Sequence, residues 1–400
     1  MKYFCVRLSL MLTACLLLPT QAISQESPVL WRQQFSVQGT NYNGQALAAT
    51  PNGIYVGGVA VDTSVQSKSF IWIWKLNSLG ERLFESRIEF SVAAQGESGQ
   101  PKVISVEPAQ SGEIYALIQN NLGNYLLLHL DQSGKETSRW PLAFTERGIR
   151  LTKMIKVGKE DFMLIGSAKS DAFVAKINKQ GKVSWVKVQT GISLEQYGSA
   201  GISTYIDVSI SDKGQIWLLR NTGSQQQFYM GKGVLELEVI SLMGETTGRG
   251  VSIAGRNGSL LLGENGLLTI LYDKAHDQGK DIWLRKLNNS GALLWDISIF
   301  KEPQNLGSFM AVTLGNDNGY IVAGTDHLNL LELAYLNKTG KETYRYQPDR
   351  RAEASWRILA VAREGGNTYL LTSIFAEGKA SVPSVGVSVL KIKNDISLRN

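Results

Sequence analysis

One short pattern returns along this chain roughly every fifty residues, and repeats of that period restrict a chain to solenoids, propellers or arrays. The pattern is a basic or aromatic residue, Leu or Ile, a small polar residue, two further residues and Gly. It reads Lys75-Leu76-Asn77 with Gly80, and His129-Leu130-Asp131 with Gly134. It returns as Lys176-Ile177-Asn178 with Gly181 and as Val239-Ile240-Ser241 with Gly244. Two more copies are Lys286-Leu287-Asn288 with Gly291 and Tyr335-Leu336-Asn337 with Gly340, and a degenerate last one is Lys391-Ile392-Lys393. Helical repeats would show apolar residues at a period of 3.6, which these segments lack.

Each repeat carries a second signal ahead of the first. Gly53-Ile54-Tyr55, Gly112-Glu113-Ile114-Tyr115, Gly214-Gln215-Ile216-Trp217, Gly266-Leu267-Leu268 and Gly319-Tyr320 set a glycine before a β-branched, aromatic or leucine run. That is a tight hairpin followed by a strand. In the later Asn-x-x-Gly turn, Asn and Gly supply the backbone angles that other residues avoid. A unit is therefore strand, tight turn, strand, loop, strand, tight turn, strand. Four antiparallel strands make one propeller blade, and seven units predict an all-β, seven-bladed β-propeller. The seventh unit runs out of chain after its turn near Asn394, while Val29–Phe35 stands alone near the start and reads as a fourth strand. The expectation is that Val29–Phe35 completes the blade begun by Trp356, pairing near Asp395–Leu398 and closing the ring so that no edge is left open.

These segments resemble known repeat families. Asp171–Gly181, with looser copies at Phe70–Gly80 and Asp281–Gly291, is similar to the repeat of secreted bacterial β-propeller proteins. The Gly-x-x-x-Trp of Gly181/Trp185 and Gly291/Trp295, with Phe84 after Gly80, resembles pyrroloquinoline-quinone-type propeller repeats. Those include quinoprotein dehydrogenases and the propeller lipoprotein of the outer-membrane barrel-assembly machinery. The resemblance runs from about Leu30 to Asn400, and its motifs are blade-making ones that several functions share.

The first residues read as an address. Lys2 and Arg7 flank a basic start, Leu8–Leu18 is apolar but too short to span a bilayer, and Ala22 offers a small residue for cleavage. The expectation is a signal peptide over 1–22 and a single propeller domain over 23–400, exported to the periplasm or beyond the cell. The alternative is Leu12-Thr13-Ala14-Cys15 as a lipidation site anchoring the chain through Cys15. Cys5 and Cys15 are the only cysteines, so the mature chain has no thiol chemistry and its core must suffice without disulfides. A formal net charge of +6 over 400 residues is too diffuse to imply nucleic-acid binding, and no later stretch reads as a transmembrane segment.

Alternation along the strands sends the longer loops, those between second and third strands and between blades, to one face. Examples are 61–69, 191–204, 220–233, 273–281 and 375–385. That face is the expected site for a protein or small-molecule ligand, or for peripheral association with the envelope. Its candidate binding residues are His276, Asp277, His327, Arg350 and Arg351, with Tyr42 and Tyr197 beside them. Two imidazoles with nearby Asp273 and Asp281 form a set that could hold a metal; ordinary solvated loop charges are the other reading. Arg345, Arg357 and Arg363 add to a basic group that could meet an anion or an anionic lipid surface. His129, set among leucines, and the strand tryptophans, Trp72 and Trp74 included, read as packing. No Gly-x-Ser-x-Gly, His-Glu-x-x-His, phosphate loop or dinucleotide fingerprint occurs. The sequence thus points to a non-enzymatic binding or scaffold module with no cofactor. A quinoprotein-like or hydrolase-like enzyme using the channel, or an outer-membrane lipoprotein scaffold, are the alternatives.

Overall fold

The computed structural model describes residues 27–36, 40–62, 68–90, 99–109, 111–190, 201–211, 213–224, 233–263, 266–276, 279–300, 311–315, 318–325, 330–347, 355–375 and 386–394. The segment read as a signal peptide, Cys15 with it, and Asp395–Leu398 lie outside the described residues.

Twenty-eight strands form seven four-stranded antiparallel sheets. Chain order starts with β1 (Val29–Phe35). Blade 1 is β2 (Thr40–Thr50), β3 (Gly53–Asp62), β4 (Lys68–Leu76) and β5 (Arg82–Glu89). Blade 2 is β6 (Lys102–Pro108), β7 (Ile114–Gln119), β8 (Tyr125–Leu130) and β9 (Glu136–Pro141). Blade 3 is β10 (Ile149–Val157), β11 (Asp161–Ala168), β12 (Asp171–Asn178) and β13 (Val183–Gln189). Blade 4 is β14 (Gly201–Ile210), β15 (Ile216–Ser224), β16 (Val234–Ile240) and β17 (Thr246–Ala254). Blade 5 is β18 (Arg256–Leu262), β19 (Leu268–His276), β20 (Gly279–Leu287) and β21 (Leu293–Phe300). Blade 6 is β22 (Ala311–Leu314), β23 (Tyr320–Thr325), β24 (Leu331–Leu336) and β25 (Glu342–Tyr346). Blade 7 takes β26 (Ser355–Glu364), β27 (Asn367–Phe375) and β28 (Gly386–Lys393) from the end of the chain and β1 from the start. The chain is a seven-bladed β-propeller.

The closing strand sits where the sequence placed it in the blade, but its partner lies earlier. β1 pairs with β28, Trp31 opposite Lys391, rather than with Asp395–Leu398. Every blade shows a bulge where its fourth strand leaves the repeat turn, for example between Lys75 and Leu76 and between Lys286 and Leu287. Blade 7 has the same irregularity at Val29/Trp31, although no turn links the two strands there. Trp31 is thus the counterpart of Phe84, Trp185 and Trp295, each opposite the first residue of its repeat.

The repeat residues make the turn and join it to the neighbouring blade. Asn77 Oδ1 accepts the N–H groups of Leu79 and Glu81, both at 2.9 Å, and Asp131, Asn178, Asn288 and Asn337 repeat this pair of contacts. Gly80 has φ +84°. A Cβ there would also lie 2.9 Å from the Trp31 ring of the preceding blade, whose Nε1 donates to Ser78 O at 3.1 Å. Blade 4 repeats the arrangement: Trp185 covers Gly244 and donates to Leu242 O at 3.2 Å. Phe84 covers Gly134 and Trp295 covers Gly340. Glycine is needed twice over, for its backbone angle and for the ring that rests on it.

Nearer the axis the first strands β2, β6, β10, β14, β18, β22 and β26 touch in sequence, and β26 touches β2, so the inner ring is closed. A bulge in six of them, such as the one between Gly44 and Ala46, frees polar side chains for the next blade. Gln45 Oε1 accepts Val103 N at 2.7 Å, Ser105 Oγ accepts Met154 N at 2.8 Å, and Thr152 Oγ1 donates to Tyr205 O at 2.8 Å. Asp207 Oδ2 accepts Leu260 N at 2.7 Å. Between these inner ties and the outer glycine seams lies the apolar core, one cluster per blade interface. In the interface of blades 7 and 1, Trp72 and Trp74 stack at 3.8 Å between ring centroids and are fully buried, as their shared strand face implied.

The seam makes a measurable claim. Gly158 has φ +68° with nothing within 4 Å of a Cβ, so Gly158→Ala meets only the backbone cost, about 1 kcal/mol. At Gly244, φ +84°, the three atoms nearest a Cβ all belong to the Trp185 ring, at 3.2 Å, so Gly244→Ala adds that collision and is expected to cost about 1–3 kcal/mol more. In a Trp185→Ala background that excess should vanish. Urea unfolding of the singles and the double checks it; equal costs for the two glycine variants would remove the seam from the account.

Candidate functional site

Of the five candidate binding residues, the structure describes His276; Asp277, His327, Arg350 and Arg351 lie outside the described residues, as does Tyr197. His276 ends β19 on the long-loop face, and its Nε2 lies 3.3 Å from Asp281 Oδ1 across the hairpin. Asp273 is turned away from it by strand alternation. It is buried, with Asn257 Nδ2 at 2.9 Å and Arg256 Nε at 3.5 Å. Among the described residues no group of three or more His, Cys, Asp or Glu side chains could hold a metal ion. Tyr42 departs from expectation. Its strand starts at Thr40, and its ring is buried against Trp72 and Trp74 at 5.9 and 5.5 Å. Arg345 is also committed elsewhere: it holds Glu332 at 2.7 Å, Glu342, and Ile299 O at 2.9 Å across the seam of blades 5 and 6. His129 stacks on Tyr115 at 4.6 Å, a packing role as read.

The innermost strands carry a second polar group. Lys153 on β10 pairs with Asp207 on β14, and its side chain is 38% exposed while the carboxylate is buried. Burial works against the ammonium, but Asp207 outweighs it and holds Lys153 above the usual lysine range. Glu107 on β6 has no such match. Burial pushes its carboxyl up to about 7, against the pull of Lys153 and an N–H from Lys156.

A cleft of about 350 Å³ opens between blades 5 and 6 on the tight-turn face, the side on which the sequence showed little to recognise anything. Its walls are Leu267, Leu294, Trp295, Leu314 and Tyr320, with Lys286 among them. The register explains why it opens here. Opposite the repeat residue, on each second strand and facing the next blade, stand Tyr55, Tyr115, Met163, Trp217, Thr269, Ile321 and Tyr369. Thr269 is the smallest of them. The first turn of blade 5 also begins with Gly263, where blades 2 and 4 have Ala109 and Ser211. The missing side-chain volume is the cleft. Lys286 folds into it and is buried, unlike the half-exposed Lys75, Lys176 and Lys391 of the other repeats. Its Nζ lies 3.3 Å from Lys338 O, 5.3 Å from the centre of the Tyr320 ring and 5.8 Å from that of Trp295. Among the described residues no carboxylate pairs with it. The adjacent groups are the Tyr320 hydroxyl, taken by Thr269 Oγ1 at 3.2 Å, and the exposed Lys338. The sequence offered a signal in Lys286 and Leu293-Leu294, but every repeat lysine looks alike until its neighbours are known.

No family model and no curated protein matches the chain. Solved structures do. An ulvan lyase of polysaccharide lyase family PL25, bound to a GlcA–Rha3S saccharide, superposes with TM-score 0.57 at 11% identity, over 92% of this chain and 98% of that one. A protein of unknown function from Dyadobacter fermentans gives 0.53 at 10%, over 91% and 98%. The WD40 domain of Toxoplasma gondii coronin gives 0.50 at 9%, over 92% and 90%. At such identities the likeness is one of fold. No helix among the described residues is long and apolar enough to cross a membrane.

Glu107 yields a pH test. Its folded pKa is raised above the unfolded value, so stability is full below about pH 4.5 and falls as pH rises through about 7. Glu107→Gln should therefore be more stable than the parent at pH 8, by about 1–3 kcal/mol, with the gap closing at pH 4. Denaturant unfolding at both pH values measures it; equal stability at pH 8 would mean that the carboxylate is hydrated.

Proposed function

We propose that the chain is an exported β-propeller that works by binding a ligand or partner in the envelope or outside the cell, without catalysis. One observation carries this reading: the cleft of blades 5 and 6 is preformed, mostly apolar, and holds one buried cation that no carboxylate among the described residues pairs with. Apolar walls with a single oriented charge are what small-ligand sites are built from. Among the described residues of its walls there is neither a nucleophile with its base nor an acid and base in mutual reach. Export rests on the basic start, short apolar run and Ala22 of the sequence, with cleavage leaving Ile23 first.

A second reading, catalysis on the long-loop face, is favoured by the His276–Asp281 pair, the geometry in which a carboxylate orients an imidazole for proton transfer. The lyase similar in fold adds only that a propeller can carry an active site.

One experiment separates the two readings. Fragments screened by ligand-observed NMR are expected to share a site that Leu294→Glu abolishes and His276→Ala spares. Leu294 is half-exposed, so the substitution should leave stability within about 0.5 kcal/mol. The reverse pattern, or consumption of a ligand over many turnovers, would move the function to the long-loop face. Export is checked by N-terminal sequencing of the mature protein, expected to begin at Ile23; an acylated Cys15 peptide would make it a lipoprotein instead.

A further inference from the structure

We infer that the cleft of blades 5 and 6 takes an amphiphilic anion, an apolar chain or ring ending in a single carboxylate, with the carboxylate on Lys286 Nζ; this rests on the binding reading above. Lys286 is 93% buried, its relative exposure being 7%. An ammonium has three N–H donors, and among the described residues one carbonyl at 3.3 Å and two ring faces beyond 5 Å are what meet it. Removing a charge from water without pairing it is unfavourable, and an incoming anion is the remedy that the site itself lacks. Lys338 adds a second positive charge among the described residues of the rim, which favours an anion over a cation there.

The walls fix the other half of the ligand. Leu267, Leu294, Leu314 and the edge-to-face pair Trp295 and Tyr320, 5.7 Å between centroids, offer carbon surface and few hydrogen-bonding groups. A phosphate or a sugar acid would leave most of its polar atoms unmatched there, which disfavours both. A volume of about 350 Å³ lies at the small end of ligand sites, enough for one medium-length alkyl or phenylalkyl group.

The space and the charge come from different residues, so they can be removed separately. Thr269→Met restores the volume that Met163 supplies in blade 3, and Lys286→Met removes the charge while keeping an apolar stem. Octanoate, 1-octanol and octylammonium are titrated into the full chain by calorimetry, with 3-phenylpropionate as the aromatic probe. Octanoate or phenylpropionate should bind at least tenfold more tightly than octanol, and octylammonium should not bind. Lys286→Met should abolish that preference while leaving octanol within about twofold of its parent affinity. Thr269→Met should lose all of the probes. Both variants are first shown to melt cooperatively; where Thr269→Met does not, Thr269→Ile serves as the milder filling. Equal binding of octanoate and octanol, unchanged in Lys286→Met, would overturn the anion assignment and leave the cleft as a neutral apolar site. Failure of every probe to bind would overturn the inference, while the fragment screen still decides whether the protein is a binding module.

Discussion

The ring depends on a steric match repeated at four of its blade junctions, between a turn residue with no side chain and a bulky side chain from the blade before it. Trp31 on Gly80, Phe84 on Gly134, Trp185 on Gly244 and Trp295 on Gly340 are the same contact rotated about the axis. A glycine at that point satisfies the turn and admits the ring in one step, so neither can vary alone. The contact also explains why the repeat is legible across such divergent blades. What must be kept is a short set of side chains at the turn, and the rest of each strand needs only to be apolar on alternate positions.

Between the seams and the axis, the interfaces are made distinct by charge. Blades 3 and 4 share Lys187–Glu238 at 2.7 Å, with the Tyr205 hydroxyl on the same carboxylate. Blade 5 turns Arg285, Asp296 and Tyr272 toward blade 4, and blade 6 reaches back to blade 5 through Arg345. Buried pairs of this kind contribute little net stability, because desolvation offsets the attraction. Where the pair crosses between blades its effect is on identity: with the wrong neighbour Glu238 would lose Lys187 and be left buried without its cation.

The architecture was readable because its determinants are local and repeated. Asn77-x-x-Gly80 announces a turn wherever it stands, and Val29–Phe35 is recognisable as a fourth strand without its partner. The partner's position was not, since the last repeat lacks the glycine that marks the register in the others. Tyr42 was misplaced for a related reason: a polar run, Thr40-Asn41-Tyr42-Asn43-Gly44, looks like a loop, yet it pairs fully with β3. The cleft was invisible because it comes from what Thr269 and Gly263 lack. A deficit of volume has no signature in a sequence; it exists only relative to Tyr55, Trp217 and Tyr369, which are comparable once the register aligns them.

The seventh blade has a consequence for the order of events in the cell. Ser388 Oγ donates to Gln33 O across 355 residues of chain. During synthesis the strand that closes the ring therefore emerges some 355 residues ahead of its mate. Until that mate arrives, Val29–Phe35 is an unpaired strand with Trp31 and Phe35 on it, a template for any other extended segment nearby. Contacts so distant in sequence form slowly. The growing chain thus carries its closing piece unpaired while the other six blades are made, and through that interval the piece is open to joining the wrong sheet.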